Sequence, residues 1–174
     1  MVFIDETGSN AAMTPQYARS EHGTRVHDRR PCSKGGNITF IGALTLQGVG
    51  AVMIVEGGVG GDVFKAYINK GLVPTLRSGQ IVVMDNVNFH KVRGVEEAIV
   101  AAGCEVLWLP PYSPEFNPIE ACWSKVKNLL RRARPRGLDA INSAIRRIIH
   151  CVRPCDAKGW FTHAGYAVRL TQPH

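Results

Sequence analysis

Asn37-Ile38-Thr39-Phe40-Ile41-Gly42-Ala43-Leu44-Thr45-Leu46, then Gln47-Gly48, then Val49-Gly50-Ala51-Val52-Met53-Ile54-Val55 is the stretch that decides the fold. Both halves are rich in β-branched and apolar residues, and Gln47-Gly48 between them marks a turn, so the stretch reads as a hairpin. A shorter apolar run precedes it, Val2-Phe3-Ile4, closed by Asp5. Another follows, Ile81-Val82-Val83-Met84, closed by Asp85. Cys104 to Leu109 reads as a fifth strand of the buried type. If the first three strands pair antiparallel and the fourth lies beside the first, strands one, three and four run the same way. Helices are expected over about 62–76, 91–102 (stopped by Gly103), 118–133 and 138–152. The last is amphipathic, with Leu138, Ile141, Ile145, Ile148 and Ile149 on one face and Arg146 and Arg147 on the other. The order predicts an α/β fold: a mixed five-stranded sheet, three antiparallel strands then two parallel, flanked by helices.

Residues 7–36 are rich in Gly, Ser, Asn, Thr and Arg and show no period, so they read as a long loop. Gly57-Gly58-Val59-Gly60-Gly61 invites a phosphate-loop reading. It lacks the Lys-Ser/Thr of a P-loop, and Val63 stands where the dinucleotide fingerprint needs its last glycine, so a plain strand-to-helix turn is favoured.

The 174 residues fit one domain, 1–174, with a basic helical part from about 121. No run approaches the roughly 18 apolar residues of a membrane helix. The N-terminus is acidic at Asp5-Glu6 and lacks the basic region of a secretory signal. Five cysteines, odd in number and scattered, suit reduced thiols. A cytoplasmic, nucleoid-associated protein is expected. Net charge is +7, unevenly spread: residues 121–174 hold eleven Lys or Arg against two Asp or Glu, while 36–120 hold five against eight. A basic arm on a mildly acidic body suits a polyanion partner, although a solvated charged face gives the same composition.

With the strand order above, Asp5 and Asp85 end neighbouring parallel strands about 4.8 Å apart. Ligands in such sheets gather at the carboxyl ends of strands. Glu56 also follows an apolar strand, but sits two strands from Asp5 and is set aside. Glu6 and Asp5 are adjacent, so their side chains point to opposite faces, and the pattern alone leaves open which looks into the site. A third acid, Glu120, follows Asp85 with 34 residues between them. Asn117 is a good N-cap and Pro118 a good first helical residue, which puts Glu120 where it can cap Asn117 reciprocally. Against that cap stands the approach: Pro110, Pro111, Pro114 and Pro118 stiffen the segment and deliver the helix start over the sheet edge. Three carboxylates on a basic chain suit Mg²⁺, a hard cation that keeps water and phosphate in its remaining positions. Two such ions about 3.5–4 Å apart would serve phosphodiester chemistry. Zinc is disfavoured, since Cys151 and Cys155 with His150 and His163 lack finger spacing.

Phe3-Ile4-Asp5-Glu6-Thr7, Val83-Met84-Asp85-Asn86 with His90-Lys91, and Leu109 through Pro110-Pro111-Tyr112-Ser113-Pro114-Glu115-Phe116-Asn117-Pro118-Ile119-Glu120 resemble the catalytic segments of DDE transposases. They are most similar to those of the bacterial insertion-sequence relatives of the mariner superfamily. Trp123, Lys127 and the Trp160-Phe161 to Gly165-Tyr166 segment fit as well. The resemblance implies an RNase H-like fold, Asp5, Asp85 and Glu120 as catalytic ligands of two Mg²⁺ or Mn²⁺ ions, and DNA as partner. It also implies hydrolysis at transposon ends, attack of the freed 3′-hydroxyl on target DNA, usually at a TA step, and a homodimer on paired ends. Relatives carry helix-turn-helix units before the first aspartate, whereas this sequence opens on that strand. The catalytic part alone is therefore expected, with the DNA-binding region possible as a separate chain.

Asn86 and His90 lie beside the site as support: Asn86 to order the loop, His90 to touch phosphate, shuttle a proton or hydrogen-bond structurally. Lys125, Lys127, Arg131, Arg132, Arg134 and Arg136 read as DNA phosphate contacts. Trp123, Trp160 and Phe161 read as packing residues. Two other functions fit the same residues: a non-catalytic DNA-binding or assembly partner derived from a transposase, and an RNase H-like nuclease.

Overall fold

A computed structural model describes residues 1–29, 31 and 35–168. Five strands form one sheet: β1 (Val2–Asn10), β2 (Asn37–Thr45), β3 (Gly48–Glu56), β4 (Ile81–Met84) and β5 (Glu105–Trp108), in the order β3-β2-β1-β4-β5. The β1–β2 and β2–β3 pairs are antiparallel; the β1–β4 and β4–β5 pairs are parallel. Both the order and the directions agree with those read from the apolar runs.

The first strand is longer than its apolar run. Thr7, Gly8, Ser9 and Asn10 pair with Phe40, Thr39, Ile38 and Asn37. Small polar residues look like a loop in isolation, but the β-rich partner strand captures them, and tertiary pairing overrides propensity. Asp5 is thus in the middle of a central strand, not at its end, and only residues after Asn10 form the long connection.

The sheet carries helices on both faces. On one lie α1 (Gly61–Tyr67) and α2 (Val95–Ala101), packed over Ile4, Ile41, Val82 and Met84. The helix expected over about 62–76 is α1 continued by a π turn over Ile68–Leu72 and a 3-10 turn over Val73–Thr75. The one expected from 91 begins at Val95, because Asn88–Lys91 forms a 3-10 turn and Gly94 reverses the chain with φ +95°. Glu97 then accepts the Gly94 amide at 2.7 Å and fixes the new start.

On the other face lie α3 (Pro118–Ala133), α4 (Leu138–Ile149) and α5 (Pro154–His163). They bury Phe3, Phe40 and Val83 against Trp123, Ile145 and Phe161. Trp123 meets Phe40 edge to face at 5.3 Å, and Phe161 meets Phe3 at 5.1 Å. Burying such side chains contributes about 1.5–3 kcal/mol each. The third helix, α5, has no strong apolar stripe in sequence. It starts on Pro154, and Asp156 accepts the Arg153 amide at 2.9 Å. Among the described residues no helix is long and apolar enough to cross a membrane.

Candidate active site

Alternation along β1 resolves the choice between Asp5 and Glu6. Phe3 packs on the α3 face and Ile4 on the opposite one. Asp5 therefore looks toward α3, and Glu6 toward the α1–α2 layer. In β4, Val83 shares the α3 face and Met84 the other. Phe3 pairs with Val83, so the same register carried two residues further sets Asp5 beside Asp85.

Asp5 is almost wholly buried at 6% exposure. Burial, then the negative charges of Glu6, Glu120 and Asp85, hold its carboxyl well above the usual carboxylate range. Three further carboxylates thus act on one buried acid across two strands and a helix start.

Glu120 sits in the first turn of α3 and is exposed. The reciprocal cap that its local sequence favours does not form. The Asn117 amide donates to the Pro114 carbonyl at 3.0 Å, and the Glu120 amide to the Asn117 backbone carbonyl at 3.2 Å. Among the described residues no side-chain hydrogen bond caps the helix, and Asn117 Oδ1 is buried without a partner. The Glu120 carboxylate is left free to face Asp5. The loop that delivers it is held at both ends: the Leu109 amide donates to the Met84 carbonyl at 2.8 Å, and Tyr166 Oη to the Phe116 carbonyl at 2.7 Å. Tyr166, beyond α5, also stands edge-on to Phe3 at 4.9 Å.

Asp85 and Glu120 line one cavity of about 360 Å³, with Asn86, Asn117 and the proline loop as its walls. Among the described residues Asn86 Oδ1 and Asn117 Oδ1 are buried there without a hydrogen-bond partner. Such oxygens are costly to bury unless a donor or cation meets them. Among the described residues no three His, Cys, Asp or Glu side chains form a ready-made metal cage. The donor chemistry nevertheless fits a hard cation, because every atom offered is oxygen and the local charge is negative.

His90 is fully buried, stacked on Phe64 at 4.1 Å and edge-on to Phe89 at 4.5 Å. Its Nε2 lies 3.1 Å from Glu6 Oε2 and its Nδ1 2.5 Å from Asp85 Oδ1, the latter an ion contact rather than an aligned hydrogen bond. Burial alone would pull its pKa down, but Asp85 and Glu6 outweigh that and push it up to about 9. An imidazolium with no solvent exposure does not reach a phosphate from this position. It bridges Glu6 on one side of the sheet to Asp85 on the other. The role of Glu6 was not legible in sequence, where it was only the neighbour of Asp5; the Glu6–His90 separation of 84 residues hides the contact.

The basic residues after Glu120 divide into two groups. Lys125 pairs with Asp156 at 2.6 Å. Arg134 grips Asp28 through both guanidinium nitrogens at 3.1 and 2.5 Å, and holds that carboxyl below its usual range. Arg136 donates to the Ala11 carbonyl at 2.6 Å. These three tie the helical part to the β1–β2 connection or to α5. Arg131 donates to Asn128 at 3.0 Å. Among the described residues nothing engages the Lys127 and Arg132 side chains, and Arg132 is exposed. Glu56 lies exposed at the end of the edge strand β3, two strands from β1.

Solved structures share this fold. The paired-end complex of the Mos1 mariner transposase with Mn superposes with a TM-score of 0.70 at 16% identity, covering 94% of this chain and 52% of that one. The complex with Mg gives 0.62 at 17% identity over 96% and 56%. The Mos1 catalytic domain alone gives 0.59 at 16% identity over 97% and 83%. The chain thus spans about half the length of the transposase in the paired-end complexes, and its sheet is the RNase H-like one of that catalytic domain. No curated protein sequence matches it. A family model described as DDE superfamily endonuclease does match, over residues 1–142, which takes in all three carboxylates and the loop between the last two. By that match the chain belongs to the DDE superfamily of endonucleases.

Proposed function

We propose that the chain is the catalytic part of a transposase, cutting DNA at transposon ends and joining the freed 3′-hydroxyl to target DNA. The observation that carries this reading is the grouping of acids: the strand register sets Asp5 beside Asp85, Asp85 and Glu120 line one cavity, and burial with the charges of Glu6, Glu120 and Asp85 holds the Asp5 carboxyl raised. Negative charge gathered at a cavity beside a sheet calls for a cation, and a phosphodiester is the substrate such a cation would admit. The family membership and the Mos1 complexes named for Mn, Mg and transposon ends support the same reading.

Asp5, Asp85 and Glu120 would hold two Mg²⁺ or Mn²⁺ ions. When bound, such ions polarise the phosphoryl oxygen and lower the pKa of the attacking water or hydroxyl. The chain's residues supply the rest. Asp5 is rigid because it lies mid-strand between two paired neighbours. Asp85 is oriented by His90, itself fixed by Glu6 and Phe64. Glu120 arrives on a proline-stiffened loop pinned by Tyr166. Rigid support of this kind holds a site to the tolerance catalysis needs. Lys127 and Arg132 take the phosphate contacts; Lys125, Arg134 and Arg136 act through the fold. Two copies of the chain act on two ends, on DNA in the cytoplasm.

The test is nicking of supercoiled plasmid by the chain in Mn²⁺, set against Asp85→Ala. The expected result is cleavage by the wild type only. Equal residual activity in both overturns the catalytic reading. Salt-sensitive DNA binding without cleavage favours a binding or assembly partner instead, and cleavage confined to RNA–DNA hybrid favours an RNase H-like nuclease.

A further inference from the structure

Tyr112 stands out among the aromatic residues. Its side chain is entirely exposed; Tyr17 is also exposed, but of the two only Tyr112 lines the cavity of Asp85 and Glu120, while Tyr67 is fully buried and Tyr166 is hydrogen-bonded. Its backbone is also in the left-handed region, at φ +57°. Only two other described non-glycine residues share that region, and each has a local reason. Ala51, at φ +47°, sits where the β2–β3 register shifts. Arg134, at φ +47°, ends α3 and is held by Asp28. Among the described residues Tyr112 has no such partner, and its left-handed backbone is strained for a residue with a side chain.

The loop holds this ring at the wall of the cavity shared by Asp85 and Glu120. Pro110 and Pro111 precede it, Pro114 follows, and Ser113 Oγ donates to the Pro111 carbonyl at 3.3 Å. The ring is displayed on a stiff support, which lowers the ordering entropy of any contact it makes. Charge then limits what it contacts. No Lys or Arg occurs from residue 109 to 124, and the cavity itself is acidic. This loop offers a DNA backbone no cationic side chain. What it offers is an aromatic face, which every nucleobase can stack on without regard to sequence.

We propose that Tyr112 is a stacking platform for an unpaired or unstacked nucleobase next to the phosphodiester held at Asp5, Asp85 and Glu120. This rests on the reading of the site as DNA-cleaving. The π-face selects bases in general, so the contact adds affinity for opened DNA over intact duplex.

The test uses the 174-residue chain in Ca²⁺ with two probes: a single-stranded oligonucleotide, and the same oligonucleotide carrying one abasic position scanned along it. Tyr112→Ala is expected to weaken binding of the full oligonucleotide by roughly five- to a hundred-fold. Tyr112→Phe and Tyr112→Trp are expected to retain it. At one abasic position the wild type should fall to the affinity of Tyr112→Ala, and the mutation should add nothing. A photo-activated iododeoxyuridine at that position should cross-link to the Tyr112 peptide. Unchanged affinity in Tyr112→Ala, or an equal loss on every abasic probe, overturns the stacking role. Either result with Mn²⁺ cleavage intact leaves the functional reading standing; loss of wild-type cleavage strikes that reading instead.

Discussion

Replacing His90 by Gln tests the bridge across the sheet. Gln keeps a polar side chain of similar length but cannot carry charge. His90 is fully buried between Glu6 and Asp85, and its pKa is pushed up from an ordinary 6.5 to about 9. At 1.36 kcal/mol per unit, the charged imidazole favours the folded state by about 3 kcal/mol. Because the folded pKa is the higher one, this stabilisation is complete below about pH 6.5 and is lost as pH rises through about 9. In a chain of 174 residues, about 3 kcal/mol corresponds to roughly 6–12 °C in melting temperature. Wild type and His90→Gln should be melted from pH 6 to pH 10 in EDTA, so that no divalent ion competes for Asp85. The wild type should lead by most near pH 6, and the gap should close by about 3 kcal/mol toward pH 10. Any lost packing on Phe64 remains as a constant offset. A gap that stays level across the range would refute a buried imidazolium, as would a histidine NMR titration with its midpoint near 6.5.

Three other outcomes follow from the structure. Asp5→Asn should abolish Mn²⁺-dependent cleavage, and in metal-free buffer it should stabilise the fold, increasingly so as pH rises, because a raised carboxyl pKa means stability is lost on deprotonation; a wild type at least as stable as the variant at pH 8 would contradict this. Gly42→Ala sets a methyl 2.9 Å from Trp123 Cη2 and 3.5 Å from Val49 Cγ1, so urea unfolding should show a loss of about 1–3 kcal/mol. Lys127→Ala and Arg132→Ala should each reduce the salt dependence of DNA binding by about one phosphate, while Arg134→Ala should leave that slope unchanged and speed proteolysis within residues 11–29.

Much of the architecture was legible because it is written in apolar runs. The hairpin around Gln47-Gly48 and the single apolar strands at 81–84 and 104–109 carry period and punctuation, and these set the sheet order. What they could not carry was the far half of β1, where Thr7, Gly8, Ser9 and Asn10 are strand only because β2 lies beside them. Nor could they carry α5, whose helix rests on Pro154, Asp156 and the burial of Phe161 rather than on a stripe. Basic side chains that read alike in sequence separated in space, since an Asp28 one hundred and six residues away decides that Arg134 is bound.

The same division holds at the site. By itself, the sequence singled out Asp5, Asp85 and Glu120 as candidates, because apolar runs, a proline-rich approach and the motifs of a family resemblance are local features. Only the tertiary structure decided which way each carboxylate acts. Pleat direction turned Asp5 toward α3 and Glu6 toward His90. The Asn117 amide, taken by Pro114, released Glu120 from its cap. A carboxylate's neighbours in space set its charge state, and those neighbours come from distant parts of the chain.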